Sequence, residues 1–217
     1  MSINHNSFSQ IFKTGTKYLS LLHLDSDDTR EVFLFVKDAC GKSPDPVSEI
    51  KSLLDGDGWR EHLVGACALL VREDLAVSLK DVLWKAIDVG SWVSPQLAVT
   101  AWFRDPDFLT NAKHRIERRC QQKTTEVPIM SSLMKHVVAG ARSHRDKAIK
   151  TFSALVYLLG LLPTSEFWLR EQLQAQDAKE MLAADIDGGC RIAQNWITNL
   201  KAKSSILELS LKDYQSV

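Results

Sequence analysis

Gly41, Lys42 and Ser43 stand in the order that closes a phosphate-binding loop, which would hold a nucleotide on backbone N–H groups. That loop also needs a glycine where Val36 stands and a helix where Pro44 and Pro46 stand, so the three residues read as a loop after a helix. Asp55 and Asp57 in DGDG offer two of the oxygen ligands that open a calcium loop, but Trp59 takes the third ligand position. A helix cap explains them better. Asp25, Asp27 and Asp28 read in the same way, as a solvated turn with a cap rather than a cation site.

The nucleophiles and bases are no more specific. Ser48 with Lys51, and Ser132 with Lys135, have the Ser-x-x-Lys spacing of acyl-transfer enzymes without the downstream elements those enzymes use. The six histidines contain no HExxH and no pair four apart on one helix face. His62, beside Glu61, is the one to follow, and its expected state is a partly buried histidine bonded to nearby backbone. The cysteines at 40, 67, 120 and 190 form neither a CxxC pair nor a zinc spacing, which fits a reducing compartment. Cys67, among Ala66, Ala68 and Leu69, reads as a small packed hydrophobe. No catalytic residue, cofactor site or metal site emerges, and the reading leans away from an enzyme.

What remains is binding. Lys plus Arg equals Asp plus Glu at 27 each, so the chain has no global field for nucleic acid or membrane. Residues 104–150, however, hold eleven basic against five acidic side chains, a local charge of +6. Within it Arg115, Arg118 and Arg119 fall on nearly one helix face, with Lys123 just beyond, and the basic run around Asp146 is expected nearby. Of the six tryptophans, Trp84 and Trp92 break the apolar pattern, so one of them is expected to be exposed as an anchor. These six residues, Arg115, Arg118, Arg119, Lys123, Trp84 and Trp92, are the candidate binding set. A protein partner is the first expectation, nucleic acid the second, and a membrane is not expected. With no secretory leader and no apolar run long enough to span a bilayer, the expected compartment is the cytoplasm.

The elements that must position these residues are helices. From Gly58 to Cys120 the apolar residues recur at helical spacing in four blocks. Trp59, Leu63, Ala66 and Leu70 with Val64, Ala68 and Val71 give a helix covered on two sides, with Asp57 as its cap. Leu79, Val82, Leu83, Ala86 and Ile87 give the next, ended by Gly90. Ser94 as cap and Pro95 as first residue open a helix carrying Leu97, Ala98, Ala101 and Trp102 inward, and Asp105-Pro106 separates it from the stripe Phe108, Leu109, Ala112, Ile116. Short loops favour antiparallel neighbours, so these four are expected as two hairpins.

Residues 16–36 admit two helices or a β-hairpin, and helices are favoured, with Asp27 or Asp28 as cap and Gly41 as stop. Pro46 starts another helix. The polar stretch 121–128 is the weakest internal boundary of a single domain spanning 1–217. Beyond it one helix is expected up to Arg145, a second from Asp146, a weaker one after Pro163, a last one after Gly188 and Gly189, and a frayed tail over 204–217.

GDGWREHLVGACALL and GSWVSPQLAVTAWF share a glycine and tryptophan opening, a following leucine and a small-then-large apolar close, roughly 33 residues apart. With many short helices joined by short loops, the chain over about 27–203 resembles HEAT-like or armadillo-like α-helical repeat proteins in architecture. The resemblance implies an all-α fold of stacked antiparallel hairpins, an α-solenoid whose curved surface binds a macromolecule, and it carries over no functional residue.

Overall fold

The computed structural model describes residues 7–211 apart from positions 14, 16, 122–133 and 187, and side chains outside 121–144. Every regular element among the described residues is helical, as expected. The order is α1 (Ser9–Lys13), a 3-10 helix Lys17–Leu22, α2 (Asp28–Lys42), α3 (Pro46–Asp55), α4 (Trp59–Val71), α5 (Glu73–Ala76), α6 (Lys80–Val89), α7 (Ser94–Arg104) and α8 (Phe108–Gln121). Then come α9 (Met134–Gly160), a 3-10 turn Pro163–Ser165, α10 (Glu166–Gln172), α11 (Gln176–Ala183) and α12 (Gly189–Lys203). The segment from Lys17 to Val36 is therefore helical and not a hairpin. The expected boundary loop 121–128 and the start of the helix after Pro128 fall largely outside the described residues.

Local chemistry sets most boundaries. Asp45 accepts a bond from the Ser48 N–H and Pro46 occupies the first turn of α3, where a missing N–H does no harm. Gly90 closes α6 at φ +83°, a backbone state that glycine adopts without a Cβ clash. Three expected caps move. Gly41 lies inside α2, which runs one residue further. Gly58, not Asp57, precedes α4, and a Cβ there would collide with the Glu61 carboxylate folded back over the first turn. Ser94 is the first residue of α7 and not its cap; its hydroxyl donates to the Ser91 carbonyl at 2.7 Å and accepts from the Ser91 N–H at 2.9 Å. The break expected at Asp146 is absent, and α9 runs through it as one helix of 27 residues. Residues 145–147 include neither Gly nor Pro, so a helix already nucleated extends at one bond per residue.

The core is built around α7, all eleven of whose residues are buried. It packs on α4, α6, α9 and α12, while α3 packs on α4 and α6. Some of these pairs join neighbours in sequence, α3 with α4 and α6 with α7, and others join distant elements, α7 with α12 and α9 with α12. Ala98 and Ala101 let neighbours approach closely, and two of the buried polar residues, Gln96 and Arg104, reach out to other elements. Gln96 Nε2 donates to the Leu22 carbonyl at 3.0 Å, tying in the 3-10 helix. Arg104 donates to the Leu70 carbonyl at 2.5 Å, tying the end of α4. Just past α7, Asp105 accepts from Trp84 Nε1 of α6 at 2.7 Å and from Asn111 Nδ2 of α8 at 2.8 Å. A buried polar group without a partner is costly, so these bonds select one arrangement of neighbours over others.

Late and early parts of the chain meet as well. Trp196, fully buried on α12, donates to the Leu21 carbonyl at 2.9 Å, and Asn199 donates to the His23 carbonyl at 2.7 Å. In a solenoid each unit touches only its neighbours, and these contacts run beyond that pattern. A Cβ at Gly189 would stand 2.2 Å from the Lys150 carbonyl oxygen, so α12 crosses α9 backbone against backbone. Residues 204–211, expected to fray, lie on the body: Leu207 is buried and Leu209 and Leu211 pack against the core.

Candidate functional site

α6 and α8 face each other across the aromatic group at the centre of the candidate set. Phe108, on the inward stripe of α8, stacks on Trp84 with centroids 5.9 Å apart and meets the edge of Trp102 at 5.3 Å. Trp84 is only 3% exposed, so it is not a surface anchor. Its indole N–H is held by Asp105, and its open face is roofed by Arg115, whose guanidinium carbon lies 4.1 Å from the ring centroid. Sequence pattern suggested exposure because Trp84 neighbours the stripe rather than lying on it. A cation from the next helix covers what the stripe does not.

Arg115 is itself committed. Its Nε and Nη2 donate to the two Asp88 oxygens at 2.9 and 2.8 Å, and its Nη1 donates to the Asn111 carbonyl at 3.0 Å. This two-pronged pair is the strong form of an arginine–carboxylate contact. Above it lies a shallow groove of ≈ 350 Å³ lined by Asp81, Lys85, Asp88, Val89, Asn111 and Arg115 over Trp84. Lys85, Asp88 and Arg115 in the groove already have partners, and no nucleophile lines it.

Arg118 differs. It lies 3.5 Å from Asp88 but its side chain is 46% exposed and faces outward. Arg119 is half-buried in a crevice with Ile116, Thr151, Phe152 and Leu155. Burial lowers its pKa, the neighbouring Arg118 lowers it further, and Asp88 opposes both. Lys123 lies outside the described residues. α9 packs against α8, and its Thr151, Phe152 and Leu155 line the same crevice as Arg118 and Arg119.

That approach brings in two residues the candidate set left out, Lys147 and Lys150. A Cβ at Gly90 would stand 3.3 Å from Lys147 Cβ, so the turn between α6 and α7 sits directly on α9. Lys150 is buried, and its ammonium lies 4.7 Å from the Trp92 ring centroid. Trp92 is 44% exposed, the surface tryptophan expected of the pair, and Val89 beside it is 61% exposed. Their one-turn spacing on α9 was legible, but the element that Lys147 and Lys150 face was not. Arg118 and Arg119 of α8 beside Asp88, with Lys147 and Lys150 of α9 against the turn that carries Val89 and Trp92, are called the basic crescent. Arg118 is exposed in it, Arg119 and Lys147 are half-buried and Lys150 is buried.

The remaining reactive groups are quiet. Burial pushes the Cys40 thiol up to about 11 and Cys67 higher, and burial is also the first cause that raises Cys120 and Cys190. Burial lowers the pKa of His62, opposed by the Gly56 and Leu54 backbones and by Glu61 and Asp57. Among the described residues no group of three or more His, Cys, Asp or Glu side chains could hold a metal ion, and no single helix is long and apolar enough to cross a membrane.

Comparison with protein-family models, with curated proteins and with solved structures finds no match to this chain.

Proposed function

We propose that the chain is a non-enzymatic interaction module whose recognition surface is the basic crescent, and that its partner is an acidic segment of another protein. The observation that carries this is the exposure of Trp92 and Val89, three residues apart, with Lys150 on the Trp92 ring, Lys147 against Gly90 between them, and Arg118 on Asp88 next to Val89. An exposed aromatic supplies contact area at low entropic cost, and surrounding cations set register and association rate. The HEAT-like stacking inferred from the sequence enters this reading only as the side-by-side presentation of α6, α8 and α9.

A second reading has one observation in its favour. The sequence offered no aromatic among the basic residues, whereas Trp92 now lies under the Lys150 ammonium, a pairing suited to stacking a base of single-stranded nucleic acid.

Affinity capture from a lysate of the source cell, with and without nuclease and at two salt concentrations, separates them. An acidic protein retained after nuclease, and lost with Trp92→Ala or with Arg118→Glu plus Lys147→Glu, supports the first reading. Nucleic acid retained at low salt and released steeply as salt rises supports the second. Retention unchanged by these substitutions removes the crescent from both.

A further inference from the structure

The segment after α12 is held in an unusual way. It has no helical ladder, only short turn bonds such as Leu207 N–H to the Lys203 carbonyl at 2.8 Å and Leu209 N–H to the Ser204 carbonyl at 2.9 Å. Leu207, Leu209 and Leu211 point alternately inward, while Ile206, Glu208 and Ser210 are exposed. Glu208 adopts φ +53°, in the left-handed region, with a side chain that disfavours it. Its carboxylate pairs with Lys37 of α2, and both partners are about half exposed or more, so that pair holds little.

Beneath this strap lies Arg104, with a side chain only 2% exposed. Its Nη2 is used by the Leu70 carbonyl, but its Nη1 donates to the neutral carbonyl of Ser210 at 2.7 Å. Its Nε is buried with no hydrogen-bond partner among the described residues, and Glu73, 3.5 Å from Nη1, is the nearby carboxylate, itself 40% exposed. A carboxylate would add opposite charge and a two-pronged geometry that a single neutral carbonyl does not offer a buried guanidinium. The strap thus supplies three apolar contacts but leaves the cation under it poorly matched.

We propose that the groove under residues 207–211 is a peptide-binding site held shut by this strap, and that its ligand is an extended segment of a partner protein with apolar residues at alternate positions and a carboxylate to meet Arg104. The inference deepens the interaction-module reading and places a second contact away from the crescent. The strap closes the groove when no partner is present, and a segment with the same alternation and a better anion displaces it. Segments held by few buried contacts open far below the free energy of global unfolding, which makes such exchange accessible.

The test uses the full chain and a labelled peptide copying residues 204–210, whose free C-terminal carboxylate stands where the Ser210 carbonyl meets Arg104, read by fluorescence anisotropy. Leu207→Ser with Leu209→Ser loosens the strap and leaves α7 and Arg104 in place. Binding is expected to tighten about tenfold or more relative to the parent chain, since each lost leucine contact weakens the competitor. Glu208→Gly relieves the left-handed residue, tightens the strap, and weakens binding by about fivefold. Hydrogen exchange supplies an independent reading: the Leu207 and Leu209 amides exchange well ahead of those of Val99 and Thr100 in α7. Equal binding by parent and loosened chains, equal binding of a scrambled peptide, or exchange of all four amides only on global unfolding overturns the proposal. The crescent variant Arg118→Glu plus Lys147→Glu leaves peptide binding unchanged; if it abolishes that binding, the peptide is held by the crescent and the groove is excluded.

Discussion

Arg104 at the end of α7 and Arg118 near the end of α8 carry the same side chain into opposite settings. Arg104 is 2% exposed, reaches the Leu70 and Ser210 carbonyls, and is pushed below its ordinary pKa by burial, with Glu73 opposing. Arg118 is 46% exposed and touches Asp88 only at 3.5 Å. The hub around α7 uses polar groups to choose which elements pack together, whereas the crescent leaves Arg118 and two apolar side chains facing solvent. Substitutions in the hub should therefore read out as stability, and substitutions in the crescent as binding.

The largest effect that sharpens this contrast is expected from Arg104→Ala. It leaves the Leu70 and Ser210 carbonyls without their donor and opens a void at the end of α7, so urea unfolding should show a loss of about 3 kcal/mol or more. A loss under about 1 kcal/mol, the range of ordinary surface changes, would mean that Arg104 does not organise its neighbours.

Trp84→Phe is expected next. It keeps the ring stack on Phe108 but removes the indole N–H that Asp105 accepts, a carboxylate bond worth about 1.5–3 kcal/mol. Asp105 retains Asn111 and the Asp107 N–H, which places the effect at the lower end. The melting temperature checks it, and Trp84→Leu should cost more because the stack goes too.

His62 gives a pH signature. Its folded pKa lies below the ordinary 6.5 because burial disfavours the charged ring. The unfolded chain then binds a proton that the folded chain rejects, so the stability tied to this residue is complete above pH 6.5 and is lost as pH falls below it. Denaturant midpoints measured from pH 7.5 down to 5.5 should fall more steeply for the parent chain than for His62→Gln. Equal slopes would show that the ring is not buried in its neutral form.

The smallest stability effect is expected in the crescent. Arg118→Glu with Lys147→Glu should leave the unfolding free energy within about 0.5 kcal/mol, as exposed charges usually do, while removing partner capture. A large loss of stability would erase the distinction between the two regions.

Much of the helical layout could be read from particular residues. Pro46, Gly90, and the Asp105-Pro106 pair mark element ends by backbone sterics or by bonds within a few residues, and the structure follows them. The sequence also separates two exposed-tryptophan candidates from the other four, and one of them, Trp92, is exposed. It does not say which of the two, because the cover on Trp84, Arg115, comes from another helix. It omits Lys147 and Lys150 because their role depends on where the turn at Gly90 lands. It divides α9 at Asp146 because a capping residue looks the same in sequence whether or not the helix continues.

By itself the sequence determined the all-helical class, most helix ends and the amphipathic faces, because each depends on periodicity and on interactions spanning a few residues. Only the tertiary structure decided that α7 is buried all round, that Arg115 is spent on Trp84 and Asp88 while Arg118 is free to face outward, and that residues 204–211 cover Arg104. Those outcomes depend on which helix faces meet across long separations, and a face records that it is apolar without recording its partner.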